Sequence, residues 1–212
     1  MSHDTALHRV VRGCVKPLAR WGVTPNQITT ARLGFGLAAA LLYAAGSSAF
    51  VWPGSILLLV SICLDRLDGE LARATGQSTA WGHRYDLFCD ATVNALVFLG
   101  IGVGLRHGEL GGWAIVLGLV AASAVAAALT LVVRLEAQQG AQAAQVRFLN
   151  AVDPDDAMVI APIAMMLGGA TTLLLAAAVL APLAAFALGV HFKRQSRTGM
   201  PRESSGEPSE RA

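Results

Sequence analysis

Apolar stretches long enough to cross a lipid bilayer recur along this chain of 212 residues. A helix needs about 20 predominantly apolar residues to span the hydrocarbon core. We predict six such helices, near residues 28–47, 51–75, 82–105, 111–135, 155–169 and 171–192. The last two share one apolar run over residues 157–192, which is too long for one span and which we divide at Gly168-Gly169. The predicted fold class is all-α integral membrane.

Composition agrees with a membrane protein. Hydrophobic residues make up 54% of the chain and charged residues only 14%, whereas soluble domains average about 25% charged residues. The formal net charge is +2 at pH 7, which gives no electrostatic reason to expect a nucleic-acid partner. We expect membrane lipids to surround most of the chain.

The distribution of basic residues predicts the orientation of the helices. Lys and Arg are enriched in the cytoplasmic loops of membrane proteins. With six spans, every Lys and Arg except Arg106 falls on the same side of the bilayer. We therefore expect both termini, and any site at that end of the helices, to be cytoplasmic, in the cell (inner) membrane.

The predicted domain organisation has three parts. Residues 1–27 form an amphipathic cytoplasmic juxtamembrane segment, because residues 5–21 place apolar side chains among basic ones, which suits a helix in the headgroup region. Residues 28–194 form the six-helix membrane catalytic domain. Residues 195–212 are polar and contain Pro, Gly, Ser and Glu, so we expect a disordered cytoplasmic tail.

Four aspartates lie within or beside the second and third predicted spans: Asp65, Asp68, Asp86 and Asp90. An ionised carboxylate at membrane depth costs roughly 2.5 to 3.5 kcal/mol even on lenient insertion scales. Several together therefore indicate a bound cation or a functional site.

The aspartates form two stripes, because residues three or four apart share a face of a helix. The first stripe comprises Asp65, Asp68, Gly69 and Ala72, and the second comprises Gly82, Asp86 and Asp90. Only residues 73–81 separate them. We expect the two helices to be antiparallel neighbours whose aspartate faces converge at the cytoplasmic edge.

Four carboxylates in one small space require positive charge, because like charges a few ångströms apart repel. A ligand set made only of oxygen favours Mg²⁺ or Mn²⁺ over zinc or copper. Two such ions bridged by carboxylates can clamp a diphosphate during displacement at phosphorus. Arg73 follows Ala72 directly and is placed to neutralise a phosphate oxygen. The pattern therefore indicates phosphoryl transfer with two metal ions.

The run from Asp65 to Asp90 reads D-x2-D-G-x2-A-R-x8-G-x3-D-x3-D and resembles the signature of the CDP-alcohol phosphatidyltransferase family. The segment Thr24–Thr29, followed by Arg32, also resembles what precedes the first helix in this family. The resemblance implies transfer of a substituted phosphate from a CDP-alcohol to a second alcohol, with release of CMP, in phospholipid biosynthesis. CDP-diacylglycerol is the expected donor, and a soluble CDP-alcohol is the alternative.

The resemblance also implies roles for individual residues. The metal ligands would be Asp65, Asp68, Asp86 and Asp90. Asp90 would also be the catalytic base on the acceptor hydroxyl. The CDP moiety would be bound by Gly69, Ala72, Arg73, Asn26, Thr29, Ser78 and Thr79. Gly82 would be structural and would allow close helix packing beneath the metals, and a homodimer is implied as well.

Two questions stay open at this point. The acceptor is a small alcohol, and family members use glycerol phosphate, serine, inositol or inositol phosphate with the same signature. Asp90 is followed here by Ala91, where users of the phosphorylated acceptors often carry a basic residue, which argues against those acceptors. The alternative outside the enzymes is a divalent-cation transporter, although transport needs polar groups near mid-membrane and the last three predicted spans offer few.

Overall fold

The computed structural model describes residues 15–139 and 154–198, with side chains over residues 15–134 and 159–190. Within these ranges the protein is helical and has no strand. Its helices are α1 (Pro25–Ala44), α2 (Ser48–Thr75), α3 (Ala80–Gly104), α4 (Trp113–Gln139), α5 (Pro154–Met166) and α6 (Ala170–Thr198). A short 3₁₀ turn, Leu105–His107, separates α3 from α4. Each of the six predicted spans overlaps one helix.

Four of these helices are long and apolar enough to cross a membrane: α2, α3, α4 and α6. The described α5 has only 13 residues, and α1 opens with the polar sequence PNQITTAR. The all-helical fold is therefore confirmed over the described residues, with four candidate membrane-spanning helices. Six complete spans remain a prediction.

The helix ends follow from local sequence. Gly76 ends α2 in the left-handed conformation, at φ 66°, where glycine is favoured. Thr79 caps α3, and its Oγ1 accepts a hydrogen bond of 3.0 Å from the backbone N–H of Gly82. Gly168, at φ 78°, lies in the turn between α5 and α6, so the predicted break at Gly168-Gly169 is confirmed.

Helix α1 packs against both α2 and α3, whereas α2 and α3 share little direct contact. The predicted convergence of their aspartate faces is confirmed for Asp65, Asp68 and Asp86, whereas the two helices make little contact otherwise. Small residues explain the arrangement. A Cβ on Gly36 of α1 would lie 2.5 Å from the side chain of Val93 of α3, so glycine lets these two helices approach closely.

The main core combines buried side chains from all six helices: Ala39, Ala40, Tyr43, Leu58, Ile62, Val93, Val97, Ile101, Ala114, Met165 and Leu174. A polar contact lies beside it, where the hydroxyls of Tyr43 and Ser55 are 2.9 Å apart and join α1 to α2. The interior of the bundle is thus mostly apolar, and a hydroxyl pair fixes the register of its first two helices.

Residues 15–20 are helical and pack onto the first two helices. Val15 is buried in a small cluster with Ile28 of α1 and Leu71 of α2. The placement of residues 15–20 in the headgroup region, as part of a juxtamembrane segment, stays a prediction. The rest of that prediction, and the predicted tail over residues 199–212, lie outside the described residues.

All four tryptophans of the chain are exposed. Trp21 and Trp81 lie at the end of the bundle where α1 and α3 begin, and Trp52 and Trp113 lie at the opposite end. Tryptophan is enriched at both membrane–water interfaces. The two pairs therefore have the positions expected of aromatic belts on a membrane protein.

Candidate active site

Three of the predicted metal ligands come together where α2 ends and α3 begins. One carboxylate oxygen from each of Asp65, Asp68 and Asp86 lies within 4.8 Å of the other two. Asp68 is buried, and the other two are half-buried. An oxygen-only set of this size and charge fits a hard divalent cation such as Mg²⁺ or Mn²⁺. The group spans two helices that hardly touch, so a third element must hold it.

That third element is α1, through Arg32. Its guanidinium is only 2% exposed, and its Nη1 forms an ion pair with Asp65. Its Nη2 lies 3.1 Å from Asp86 Oδ1 and donates a hydrogen bond of 2.9 Å to the backbone carbonyl of Asp86. Arg32 therefore connects the carboxylates of α2 with those of α3.

Thr29 holds the remaining carboxylate. Its hydroxyl lies 2.6 Å from Asp68 Oδ2 and donates to it. Thr29 and Arg32 are three residues apart and share a face of α1. One face of α1 therefore contacts all three carboxylates.

Arg32 has no predicted role beyond its place in the family segment. The sequence does contain a signal, because Arg32 lies among apolar residues within a predicted span, and a charged residue there is costly unless it is paired. What the sequence could not show was the partner. Asp65 and Asp86 are far from Arg32 along the chain, and only the packing of α1 brings them together.

A cavity of about 340 Å³ opens beside the carboxylates. The start of α1, the end of α2 and the start of α3 form its walls. All seven predicted CDP-binding residues line it: Asn26, Thr29, Gly69, Ala72, Arg73, Ser78 and Thr79. Asp68, Asp86 and Gly82 also line it, as do three residues without a predicted role: Pro25, Gln77 and His83.

Two glycines shape this cavity. A Cβ on Gly82 would lie 3.2 Å from Asn26 Oδ1 and 3.0 Å from Thr79 Oγ1, so glycine admits two polar side chains of the cavity wall. A Cβ on Gly69 would lie 3.6 Å from the guanidinium of Arg73. Arg73 itself is exposed and pairs with Glu70 at 3.1 Å, which leaves its charge at the mouth of the cavity.

Asp90 stands apart from the three-carboxylate group, one helical turn beyond Asp86 on α3. Its Oδ1 accepts a hydrogen bond of 3.2 Å from Asn94 Nδ2. Three of the four predicted ligands therefore lie together. The fourth, Asp90, is hydrogen-bonded to the side-chain amide of Asn94. The roles of Asp90 as ligand and base stay predictions.

Comparison with curated proteins finds relatives over part of the chain. Archaetidylinositol phosphate synthase of Pyrococcus horikoshii is 38% identical over 89 residues, which are 42% of this chain and 46% of that protein. Phosphatidylinositol phosphate synthase of Mycobacterium marinum is 32% identical over 97 residues, 45% of this chain and 40% of that protein. The chain thus aligns with less than half the length of these relatives.

Solved structures show the same fold over nearly the whole chain. Phosphatidylinositol phosphate synthase of Mycobacterium tuberculosis with CDP-DAG bound has a TM-score of 0.65 and 19% identity, covering 95% of this chain and 99% of that one. The same enzyme with manganese and citrate has a TM-score of 0.64 and 18% identity, covering 94% and 93%. Residues 22–193 also match the sequence profile of one family over most of the chain. This protein belongs to the CDP-alcohol phosphatidyltransferase family.

Proposed function

We propose that the protein transfers a substituted phosphate group from a CDP-linked lipid to an acceptor alcohol and releases CMP, at a divalent metal centre built on Asp65, Asp68 and Asp86. The observation that carries the proposal is a juxtaposition. The three carboxylates meet beside a cavity whose walls include every residue that the family signature and its preceding segment assign to CDP. A relative with the same fold binds CDP-DAG, which supports CDP-diacylglycerol as the donor.

The chain's own residues suit the chemistry. When bound, Mg²⁺ or Mn²⁺ supplies positive charge that stabilises the diphosphate as negative charge moves onto the leaving CMP. Arg73, at the mouth of the cavity, neutralises a phosphate oxygen. Gly69 and Ala72 leave room for the nucleotide to lie against α2.

Asp90 is the proposed base. It takes the proton of the acceptor hydroxyl, whose oxygen attacks the lipid-bearing phosphorus. The bond from that phosphorus to the bridging oxygen breaks, and CMP leaves with the bridging oxygen. A carboxylate close to two cations is a poor base, because nearby positive charge favours its ionised form. The position of Asp90 outside the three-carboxylate group therefore favours this role.

The acceptor is a small alcohol, and two observations favour different ones. The relatives are named for products that contain inositol phosphate, which favours inositol phosphate. Ala91 stands where users of phosphorylated acceptors often carry a basic residue, which favours serine or inositol. CMP release measured with each of these acceptors distinguishes between them.

The membrane setting forms part of the proposal. We place residues 28–194 as the catalytic domain in the cell (inner) membrane, with the site and both termini on the cytoplasmic side. The site lies at the end of the bundle where the basic residues cluster, and tryptophans are exposed at both ends. A homodimer is proposed on the family resemblance alone. Cation transport is disfavoured, because the core between the two ends is apolar.

The test is CMP release by the purified protein in detergent, with CDP-diacylglycerol, Mn²⁺ or Mg²⁺, and a panel of glycerol phosphate, serine, inositol and inositol phosphate. We expect release that needs both the metal and one acceptor. If no acceptor supports CMP release but CDP still binds in a metal-dependent way, the donor to test next is a soluble CDP-alcohol. Loss of CDP binding as well would refute the proposed function.

A further inference from the structure

Arg32 is one of only two buried charged side chains among the side chains that the structure describes, and the other is Asp68. Burying a charge costs several kcal/mol unless it is paired and hydrogen-bonded. Arg32 has partners on two different helices, Asp65 on α2 and Asp86 on α3. Its position thus indicates a role in the assembly of the carboxylate group.

We propose that Arg32 is the resident counter-cation of the metal centre. It holds Asp65 and Asp86 together when no divalent cation is bound, and its charge lowers the affinity of the centre for that cation. The inference rests on the proposed function in one respect, since it takes the three carboxylates as metal ligands. Arg32 acts through those carboxylates and is therefore a positioning residue.

The hydrogen bonds around Arg32 tie three helices together at the site. Its Nη2 donates to the backbone carbonyl of Asp86 at 2.9 Å, which fixes the backbone of α3 as well as the side chain. Its own backbone carbonyl accepts a hydrogen bond of 3.0 Å from Ser61 Oγ, which fixes α2. Because α2 and α3 hardly contact each other, these bonds carry much of the connection between them.

The charge of the group supports the second half of the proposal. Three carboxylates and one guanidinium leave a formal charge of −2, which a single divalent cation neutralises. A guanidinium stays protonated in proteins, so its charge is permanent. A cation bound by these carboxylates is close enough to Arg32 to be repelled, since charges a few ångströms apart interact strongly in a partly buried site. Removal of the guanidinium charge should therefore tighten metal binding.

The experiment compares Arg32→Gln, which removes the charge and keeps a donor, with Arg32→Lys, which keeps the charge. The control is Arg106→Gln at the opposite end of the bundle, where Arg106 donates to backbone carbonyls. Mn²⁺ affinity is measured on each purified protein from the electron paramagnetic resonance signal of free Mn²⁺. The thermal midpoint is measured with and without Mn²⁺.

We expect Arg32→Gln to bind Mn²⁺ at least about tenfold more tightly than the unmodified protein and to lose thermal stability mainly in the absence of Mn²⁺. Arg32→Lys should keep the original affinity, and Arg106→Gln should lose the same stability with and without Mn²⁺. If Arg32→Gln can be purified only in the presence of Mn²⁺, that dependence supports the proposal.

Unchanged or weaker Mn²⁺ binding by Arg32→Gln would overturn the proposal, because the guanidinium would then not oppose the cation. Equal loss of stability with and without Mn²⁺ would overturn it too, since a purely structural arginine behaves in that way. If Arg32→Gln cannot be recovered under either condition, an altered Mn²⁺ affinity in Arg32→Lys overturns the proposal and an unchanged affinity supports it. Failure of the unmodified protein to bind Mn²⁺ would instead refute the metal centre of the proposed function.

Discussion

The two ends of the helix bundle use the same three helices in opposite ways. At the active-site end, side chains link α1 to its neighbours, through Thr29, Arg32 and the pair Thr30–Tyr85, whose hydroxyls are 2.9 Å apart. At the other end, backbones meet directly: Gly100 and Gly104 of α3 lie against backbone carbonyls of α1. The first end holds the cavity of about 340 Å³, and the second holds one of about 210 Å³ with no charged lining residue.

Each end also contains an arginine, and the two serve different purposes. Arg106 donates to the carbonyls of Ala44 and Val103, at 3.1 and 2.6 Å, and so satisfies the carboxyl-terminal ends of α1 and α3. Arg32 pairs with carboxylates. The glycine-packed end fixes the helices, so that the polar end can hold charged groups at set distances without close packing.

Asp68→Asn should have the largest effect, at the polar end. The substitution keeps the shape of the side chain and removes the buried carboxylate charge to which Thr29 donates. We expect turnover to fall on the order of 10³-fold or more, because metal-ion stabilisation is worth several kcal/mol. CMP release and Mn²⁺-dependent CDP binding are measured. Glu109→Gln, an exposed carboxylate at the opposite end of the bundle, is the control and should stay active. Full activity in Asp68→Asn would contradict the metal centre.

Asp90→Asn tests the proposed base at the polar end. If Asp90 is the base, turnover should fall by about 10² to 10⁴-fold, while CDP still binds with metal. Thr92→Val is the matched control, because the Thr92 hydroxyl donates to the backbone carbonyl of Phe88 in its own helix and Thr92 does not line the cavity. Isothermal titration with CDP and Mn²⁺ measures binding. Loss of that binding would make Asp90 chiefly a ligand.

Gly100→Ala tests the glycine-packed end. The added Cβ would meet the backbone carbonyl of Ala40, which cannot move aside as a flexible side chain can. Overpacking of this kind costs about 1 to 3 kcal/mol, so the thermal midpoint should fall while turnover per folded molecule is kept. Gly34→Ala is the control, because no atom lies within 4 Å of its added Cβ. Similar midpoints for both variants would disprove the backbone contact.

Arg73→Gln should have the smallest effect, since Arg73 is 66% exposed and solvent weakens its interactions. We expect the KM for the CDP-linked donor to rise about tenfold with little change in kcat, because a charge-assisted hydrogen bond is lost. Arg84→Gln is the control, as Arg84 donates to Ala80 of its own helix and does not line the cavity. Equal changes in both variants would mean that Arg73 acts only through the net charge of the surface.

Much of the active-site end could be predicted, because its information is local. The spacing of Asp65 and Asp68 on α2 follows from the helical repeat. The turn between α2 and α3 follows from Gly76 and the capping Thr79. The seven residues assigned to CDP by resemblance all line one cavity. Their roles in catalysis stay predictions.

The positions of the helices and the stripes of carboxylates are encoded locally, since each depends on residues within a few turns of one another. Helix packing brings α1 against both α2 and α3 and pairs Arg32 with Asp65 and Asp86. This packing could not be predicted, because it depends on the shapes of whole helix surfaces. Contacts between helices, such as Gly36 with Val93 and Gly100 with Ala40, decide which backbones can approach closely. No pattern within a single helix specifies its partner.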